Sequence, residues 1–351
     1  MVCVAAFIIL CLLSVFVAIL SIFRRDIGKK YWRVFKKAWG CVGRRVTFRK
    51  CDTNFKEDVK NSILKKFIIK KPKLVKPISI GIEITAVLIV LVTIWSLVEA
   101  AKAGLALYAL GSCNVRQPES CVINSSANSC TVQRNLNWFE EWGYIFSALP
   151  DRTRNWQPTD YLPENPIYRT LDKTSLPIAL DIMDPGCIFC LQSYINQRDS
   201  GFFDRYNAVL FPYVTQKSDG TDRYVNSDLI ARYLLASATL EPTSSLPTPW
   251  RIIDRLFTEY GTDADGSQVI YQALFNDHYS AEQAEQQLLA WLKDFGYAEA
   301  ETATIQTLAH SPQIISQMEA NRKIAESKIH ITNVPTIIYN GKKHSGLFTH
   351  D

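Results

Sequence analysis

Cys187-Ile188-Phe189-Cys190 decides how this 351-residue chain is read. A strand-like run, Leu176-Pro177-Ile178-Ala179-Leu180-Asp181-Ile182-Met183, leads into it, and a helix-compatible run, Leu191-Gln192-Ser193-Tyr194-Ile195-Asn196-Gln197, follows. Two thiols with two residues between them, at the start of a helix, make a candidate redox pair. The helix N-terminus carries partial positive charge and free N–H groups, which favour a thiolate over a thiol. Such positions lower a cysteine pKa from about 8.5 to roughly 3.5–7.5. The second cysteine then stands close enough to close a disulfide with the first. A CxxC is also half of a zinc site, and it can be a plain structural bridge. There is no second CxxC, and the chain holds five histidines: His278, His310, His330, His344 and His350.

Further along, Ala208-Val209-Leu210-Phe211-Pro212-Tyr213-Val214 reads as a second strand, with Pro212 pointing to an edge position or a bulge. Residues 227–327 read as helices. Ser227 can cap one, Pro249 suits a first helical turn, Ser280-Ala281-Glu282-Gln283 is a capping box, and Ser311-Pro312 opens the last. Their apolar stripes are packing faces without evident chemistry. Strand returns at Thr336-Ile337-Ile338-Tyr339, and Asn340-Gly341 predicts a hairpin into Lys342–Phe348.

The N-terminal part has a different composition. Residues 1–23 contain no charged side chain and are long enough to cross a bilayer as a helix. A cleaved signal peptide is the alternative, but no basic residue precedes the apolar run and Arg24-Arg25 ends it. A second apolar run covers about 77–100, with Glu83 inside it. Between them, residues 24–76 carry 19 Lys and Arg against four acids, a net +15 that the overall +5 conceals. Basic loops stay cytoplasmic, so the chain is expected to be a two-pass membrane protein with everything after about residue 110 outside, most simply in a bacterial envelope. Tyr31, Trp32, Phe35 and Trp39 lie among the basic residues. That mixture is compatible with nucleic acid, but between two spans it reads as a positive-inside segment resting on anionic lipid, with no nucleic-acid partner.

The cysteines fit this topology. Cys3 and Cys11 fall in the first span, Cys41 and Cys51 in the cytoplasmic segment, and Cys113, Cys121, Cys130, Cys187 and Cys190 outside, where disulfides persist. Cys113, Cys121 and Cys130 are spaced for one local disulfide, leaving one thiol that is either inert, paired with another chain or able to relay electrons to the CxxC. Asn124-Ser125-Ser126 matches a glycosylation sequon, which matters only in a eukaryotic secretory pathway. Residues 101–170 read as a juxtamembrane lead-in with a helix near 137–148, rich in aromatics and punctuated by Pro163 and Pro166.

Strand, CxxC, helix, strand, a helical stretch, then Val334-Pro335-Thr336 and a hairpin: this order resembles the thioredoxin fold. The long helical stretch is similar to the DsbA type, in which a helical subdomain is inserted into an α/β thioredoxin-like core, here spanning 171–351 with the insertion at about 227–327. The resemblance implies that Cys187 is the nucleophilic, more exposed cysteine and Cys190 the buried resolving one. It implies that Pro335 is a cis-proline facing the CxxC, and that Asp181 accepts a proton from the resolving cysteine. A client chain would lie along Val334 and Thr336, with Ile188 and Phe189 beside it. Ile188-Phe189 has neither the proline nor the histidine often found there, and the closing helix usual in the family does not follow the hairpin. The implied activity is thiol-disulfide exchange on extracytoplasmic client proteins, with no cofactor and with a membrane redox partner that recycles the pair. Two other classes stay open. One is a non-catalytic thioredoxin-like module of an envelope or secretion assembly. The other is a metal-handling domain using Cys187, Cys190 and a histidine.

Overall fold

In a computed structural model, residues 8–13, 25–46, 75–118, 129–170, 176–240 and 244–349, with Asn61 and Leu64, are described. The chain divides into two units, Met1–Ala101 and Lys102–Asp351.

In the first unit, residues 8–13 are helical and the rest of the expected span 1–23 lies outside the described residues. Helix α1, Arg25–Val46, opens the basic segment. Trp32 stacks on Phe35 at 5.6 Å, and Trp32 and Trp39 are exposed among exposed Arg33, Lys36, Lys37 and Arg44. Helix α2, Val75–Leu110, is longer at both ends than the expected span 77–100. Among the described residues it is the one helix long and apolar enough to cross a bilayer. Ile84, Leu88, Leu91, Val92 and Trp95 lie open on its surface.

The second unit carries the sheet. After strand β1 (Cys130–Thr131) comes helix α3, Trp138–Ala148, capped by Asn137, whose side chain accepts from the Phe139 and Glu140 N–H groups while Glu140 reaches back to the Asn137 N–H. Then follow β2 (Ile167–Tyr168), β3 (Ile178–Met183), helix α4 (Ile188–Asp199), the short α5 (Phe202–Arg205) and β4 (Asn207–Pro212). Strands β7 (Asn333–Val334), β8 (Thr336–Tyr339) and β9 (Lys342–Ser345) close the chain. The main sheet has the order β2-β4-β3-β8-β9, with β3 and β4 parallel and the other pairs antiparallel. This is the strand and helix order expected for a thioredoxin-like core.

β3 and β4 are buried nearly end to end because layers cover both faces, which is why they read as continuous apolar runs. Leu180, Ile182, Val209 and Phe211 pack with Tyr194 of α4 and with Trp250, Ile253 and Phe257 from the insertion in one core. β4 is not the edge strand that Pro212 suggested. Pro212 is its last residue, past the reach of β2, and its missing N–H faces no partner strand. The lead-in completes the sheet at both margins. β2 pairs with β4, and the Trp156 N–H donates to the Gly341 carbonyl at 3.0 Å beside β9. Asn340 and Gly341 both adopt positive φ, 48° and 73°, which makes the two-residue hairpin the sequence predicts.

Between β4 and β7 lie helices α6 (Ser227–Ser237), α7 (Thr248–Thr258), α8 (Ala281–Asp294), α9 (Glu299–Ala309) and α10 (Pro312–Lys323). Ser280 and Gln283 form the expected reciprocal cap, and Ser311 caps α10. Apart from the turns between helices, the expectation of helix over 227–327 fails among the described residues at a strand pair. Tyr260–Thr262 and Gln268–Ile270 form a hairpin, β5 and β6. Asp263 makes the turn by accepting the Asp265 N–H at 2.6 Å, a local bond that competes with helix. The expected cap at Ser227 also differs. Ser227 is the first helical residue, and its hydroxyl goes to the Asp184 carboxylate instead.

Candidate functional site

Cys187 is the N-cap of α4, at the end of the Asp184-Pro185-Gly186 turn that follows β3. The N–H groups of Cys190 and Leu191 both point back to the Cys187 carbonyl, at 2.9 and 3.2 Å. The turn is held from several sides. The Asp184 carboxylate is wholly buried and accepts the Gly186 N–H (2.9 Å), the Thr215 N–H (2.7 Å), the Thr215 hydroxyl (2.5 Å) and the Ser227 hydroxyl. Gln272 donates to the carbonyls of Pro185 (2.8 Å) and Cys187 (3.0 Å), and Asn276 to that of Gly186 (2.8 Å). The inserted subdomain therefore grips the cysteine turn by its backbone. Gly186 has no room for a side chain, since a Cβ there would lie 2.5 Å from the Tyr224 Cβ.

The expected residues meet. The Val334–Pro335 bond is cis, and Cys187 Sγ lies 3.9 Å from the Val334 carbonyl oxygen. That approach is a contact rather than a hydrogen bond, because this sulfur carries no proton. Thr336 is buried, with its hydroxyl on the Asn333 carbonyl at 2.7 Å. Ile188 is 54% exposed beside the turn, and Phe189 packs partly on the core.

One expectation is overturned, and one pairing differs in this structure from the expected one. Cys187 is not the more exposed cysteine, since both it and Cys190 are fully buried. Nor do the two close a disulfide. Cys187 is bonded to Cys130, with Cα atoms 6.3 Å apart, and Cys190 is a free thiol. The local pairing expected among Cys113, Cys121 and Cys130 therefore does not include Cys130. Cys113 is disulfide-bonded, and Cys121 lies outside the described residues. The physical reason is strand pairing. β1 runs antiparallel to β7, with Cys130 opposite Val334 and Thr131 opposite Asn333, and it covers the face of the cysteine turn. The Val132 N–H continues onto the Thr332 carbonyl at 2.9 Å, Arg223 holds the Thr131 carbonyl at 3.2 Å, and Asn333 holds the Ser129 hydroxyl at 3.0 Å.

Burial pushes the Cys190 thiol well above its ordinary range, and the nearby Asp184 and Asp181 add to this. Its sulfur accepts the Asp184 N–H at 3.4 Å. Asp181 sits on β3 with no exposure; burial raises its pKa to about 7, against the pull of the Gln197 amide on Oδ2 at 2.9 Å. Its other oxygen, Oδ1, has no hydrogen-bond partner. Burial also raises Asp184, though its four donors oppose the shift. The Tyr224 hydroxyl donates to Cys130 Sγ at 3.0 Å, and burial pushes its pKa up to about 12. Sequence reasoning missed Asp184, Tyr224, Gln272 and Asn276. Asp184 had a visible signal in its place three residues before the first cysteine; the other three act across long separations.

A second buried cluster lies in the same unit. His330 Nδ1 meets Asp151 Oδ2 at 2.8 Å, Lys343 Nζ reaches that oxygen at 3.5 Å and the Ile329 carbonyl at 2.7 Å, and Arg154 faces Asp151 Oδ1 at 3.4 Å. Ser147 Oγ lies 3.1 Å from His330 Nε2 but gives its proton to the Tyr144 carbonyl at 2.8 Å, so it is not set up as a nucleophile. Among the described residues, no three His, Cys, Asp or Glu side chains stand together as a metal site.

No family model matches the chain, and no curated protein matches it. Solved structures do. The thiol-disulfide exchange protein alpha-DsbA2 from Wolbachia pipientis is 14% identical, with a TM-score of 0.37 over 61% of this chain and 93% of that one. A thioredoxin-like oxidoreductase from Silicibacter pomeroyi is 14% identical, with a TM-score of 0.36 over 54% and 90%. The catalytic domain of Proteus mirabilis ScsC is 11% identical, with a TM-score of 0.32 over 54% and 86%. These are likenesses of fold.

Proposed function

We propose that the chain is a membrane-anchored thiol-disulfide oxidoreductase whose C-terminal unit works on cysteines of extracytoplasmic proteins. The observation that carries this reading is Cys187 itself. It is the N-cap of α4, already joined by a disulfide to a cysteine on an extended segment that pairs with the strand before cis-Pro335. That is the geometry a mixed disulfide with a client would need.

In the oxidising direction a client thiolate attacks Cys187 in the Cys187–Cys190 disulfide, and Cys190 leaves with the electron pair. A second client thiolate then attacks the client sulfur bound to Cys187, closing the client disulfide and leaving Cys187 reduced. In the reducing direction the same steps run backwards. Asp181, buried with one oxygen unpartnered, serves as proton acceptor and donor for Cys190. Ile188 offers apolar contact to the client, and the β7 backbone at Val334 offers main-chain hydrogen bonds. A membrane redox partner returns the pair to its working state. The apolar α2 and the basic, aromatic α1 support anchoring to a bilayer, with the second unit outside.

The experiment uses the full chain in detergent. With Cys130→Ser and Cys190→Ser combined, client proteins are trapped on Cys187 as mixed disulfides; adding Cys187→Ser abolishes trapping. Equal trapping with and without Cys187 contradicts the reading. One observation favours a second reading, a non-catalytic envelope module in which Cys130–Cys187 is a staple: the bridge is fully buried. A bridge that resists a mild dithiol in the native chain would decide for it.

A further inference from the structure

We infer that Cys130 is a third exchanging cysteine, carried on a tethered segment that occupies the client groove, so that Cys187 passes between Cys130 and Cys190. This rests on the oxidoreductase reading and extends it to a residue outside the CxxC.

Three features separate this arrangement from a simple staple. First, the Cys130 segment uses the free main-chain edge of β7, opposite Val334, which is the edge a client strand needs. Second, a hydroxyl is aimed at the sulfur that must leave. Tyr224 donates to Cys130 Sγ at 3.0 Å, and its ring is seated on Gly186 of the cysteine turn. A donor in that place stabilises a departing thiolate and gives nothing needed by an inert bridge. Third, Cys190 is kept as a free thiol one helical turn from Cys187, the position from which an internal nucleophile reaches the shared sulfur.

The step balances without any oxidant or reductant. The Cys190 thiolate attacks Cys187 Sγ; the Cys187–Cys190 bond forms, the Cys130–Cys187 bond breaks, and the electron pair leaves on Cys130. The proton lost by Cys190 is matched by the one Cys130 gains. One disulfide and one thiol stand on each side. The Cys187–Cys190 disulfide then takes two electrons and two protons from a client dithiol, which becomes a disulfide. The tethered strand also describes the client: an extended segment whose cysteine is followed by β-branched residues, as Thr131 and Val132 follow Cys130.

Carried on the same chain, the segment is held at roughly millimolar effective concentration, so a client at about 10 μM is outcompeted by about a hundredfold. Cys130→Ser in the full chain is therefore expected to raise the rate at which a small dithiol peptide reacts with Cys187 by about tenfold or more. Acid-quenched, non-reducing peptide mapping of the wild-type chain should find both Cys130–Cys187 and Cys187–Cys190 links, with their ratio moving as glutathione is varied. Tyr224→Phe should slow interconversion of the two links, and its effect should vanish when Cys130→Ser is present, which a packing defect would not do. If Cys130→Ser reacts at the wild-type rate, or if the Cys130–Cys187 link never interconverts with Cys187–Cys190, the inference is overturned while the oxidoreductase reading stands. If Cys130→Ser does not exchange with any dithiol, the oxidoreductase reading itself fails.

Discussion

The two buried polar clusters of the second unit differ in one respect that separates architecture from chemistry. Around Asp151 three basic side chains, His330, Lys343 and Arg154, converge on one carboxylate, whose Oδ1 has the Arg154 guanidinium as an ion-pair neighbour but no hydrogen bond. Around Cys187 the buried groups are held but not neutralised. Cys190 is a free thiol raised by burial and by two carboxyl groups, and Asp181 keeps an oxygen without a partner. Burial with matched partners fixes a fold. Burial without them raises both groups: Asp181 to about 7, where a carboxyl trades protons near neutral pH, and Cys190 well above its ordinary range.

The comparison breaks first at its reactive end. Cys187→Ser should remove all measurable exchange with a dithiol peptide, while His330→Gln should keep it and instead lower stability to urea by about 1–2 kcal/mol, the cost of disturbing a buried hydrogen bond. If His330→Gln abolished exchange with the fold intact, the division between the two clusters would be wrong. Next is Asp184→Ala, which strands the four donors now satisfied by one carboxylate. A loss of about 3 kcal/mol is expected, with exchange slowed because the turn under Cys187 loosens.

The pH dependence sharpens the contrast further. Asp181 has its folded pKa raised to about 7, so the folded chain holds a proton that the unfolded chain releases near 4. Stability should fall as pH rises from about 4 to about 7 and stay low above it. Asp181→Asn should flatten that slope and remove an inflection near pH 7 from the exchange rate. Lys343 runs the other way. Burial lowers its pKa to about 8, below the unfolded value, so stability should rise between about pH 8 and 10.4, and Lys343→Met should erase that smaller rise without touching exchange.

Much of the fold was legible in local signals. The apolar runs of β3 and β4, the Asn340-Gly341 turn and the Ser280–Gln283 cap each depend on neighbours in sequence. The β5–β6 hairpin was missed although Asp265-Gly266 marks its turn, because the surrounding helical periodicity dominated. In the site, the CxxC and Pro335 stood out by motif. The partner of Cys187 did not, since Cys130 is 57 residues away and reaches it only through the β1–β7 ladder. Nothing local distinguishes Cys130 from Cys113 or Cys121. Gln272 and Asn276 are equally silent in sequence, because their work is to satisfy carbonyls of a distant turn.

The most direct test of the account is the redox equilibrium of the Cys130→Ser chain across a glutathione series, read by thiol alkylation at Cys187 and Cys190. The account predicts a single reversible two-electron transition that takes both sulfurs together, at a potential above the roughly −300 mV below which structural disulfides lie. Sulfurs that never pair, or a bridge that the series cannot reduce, would contradict it.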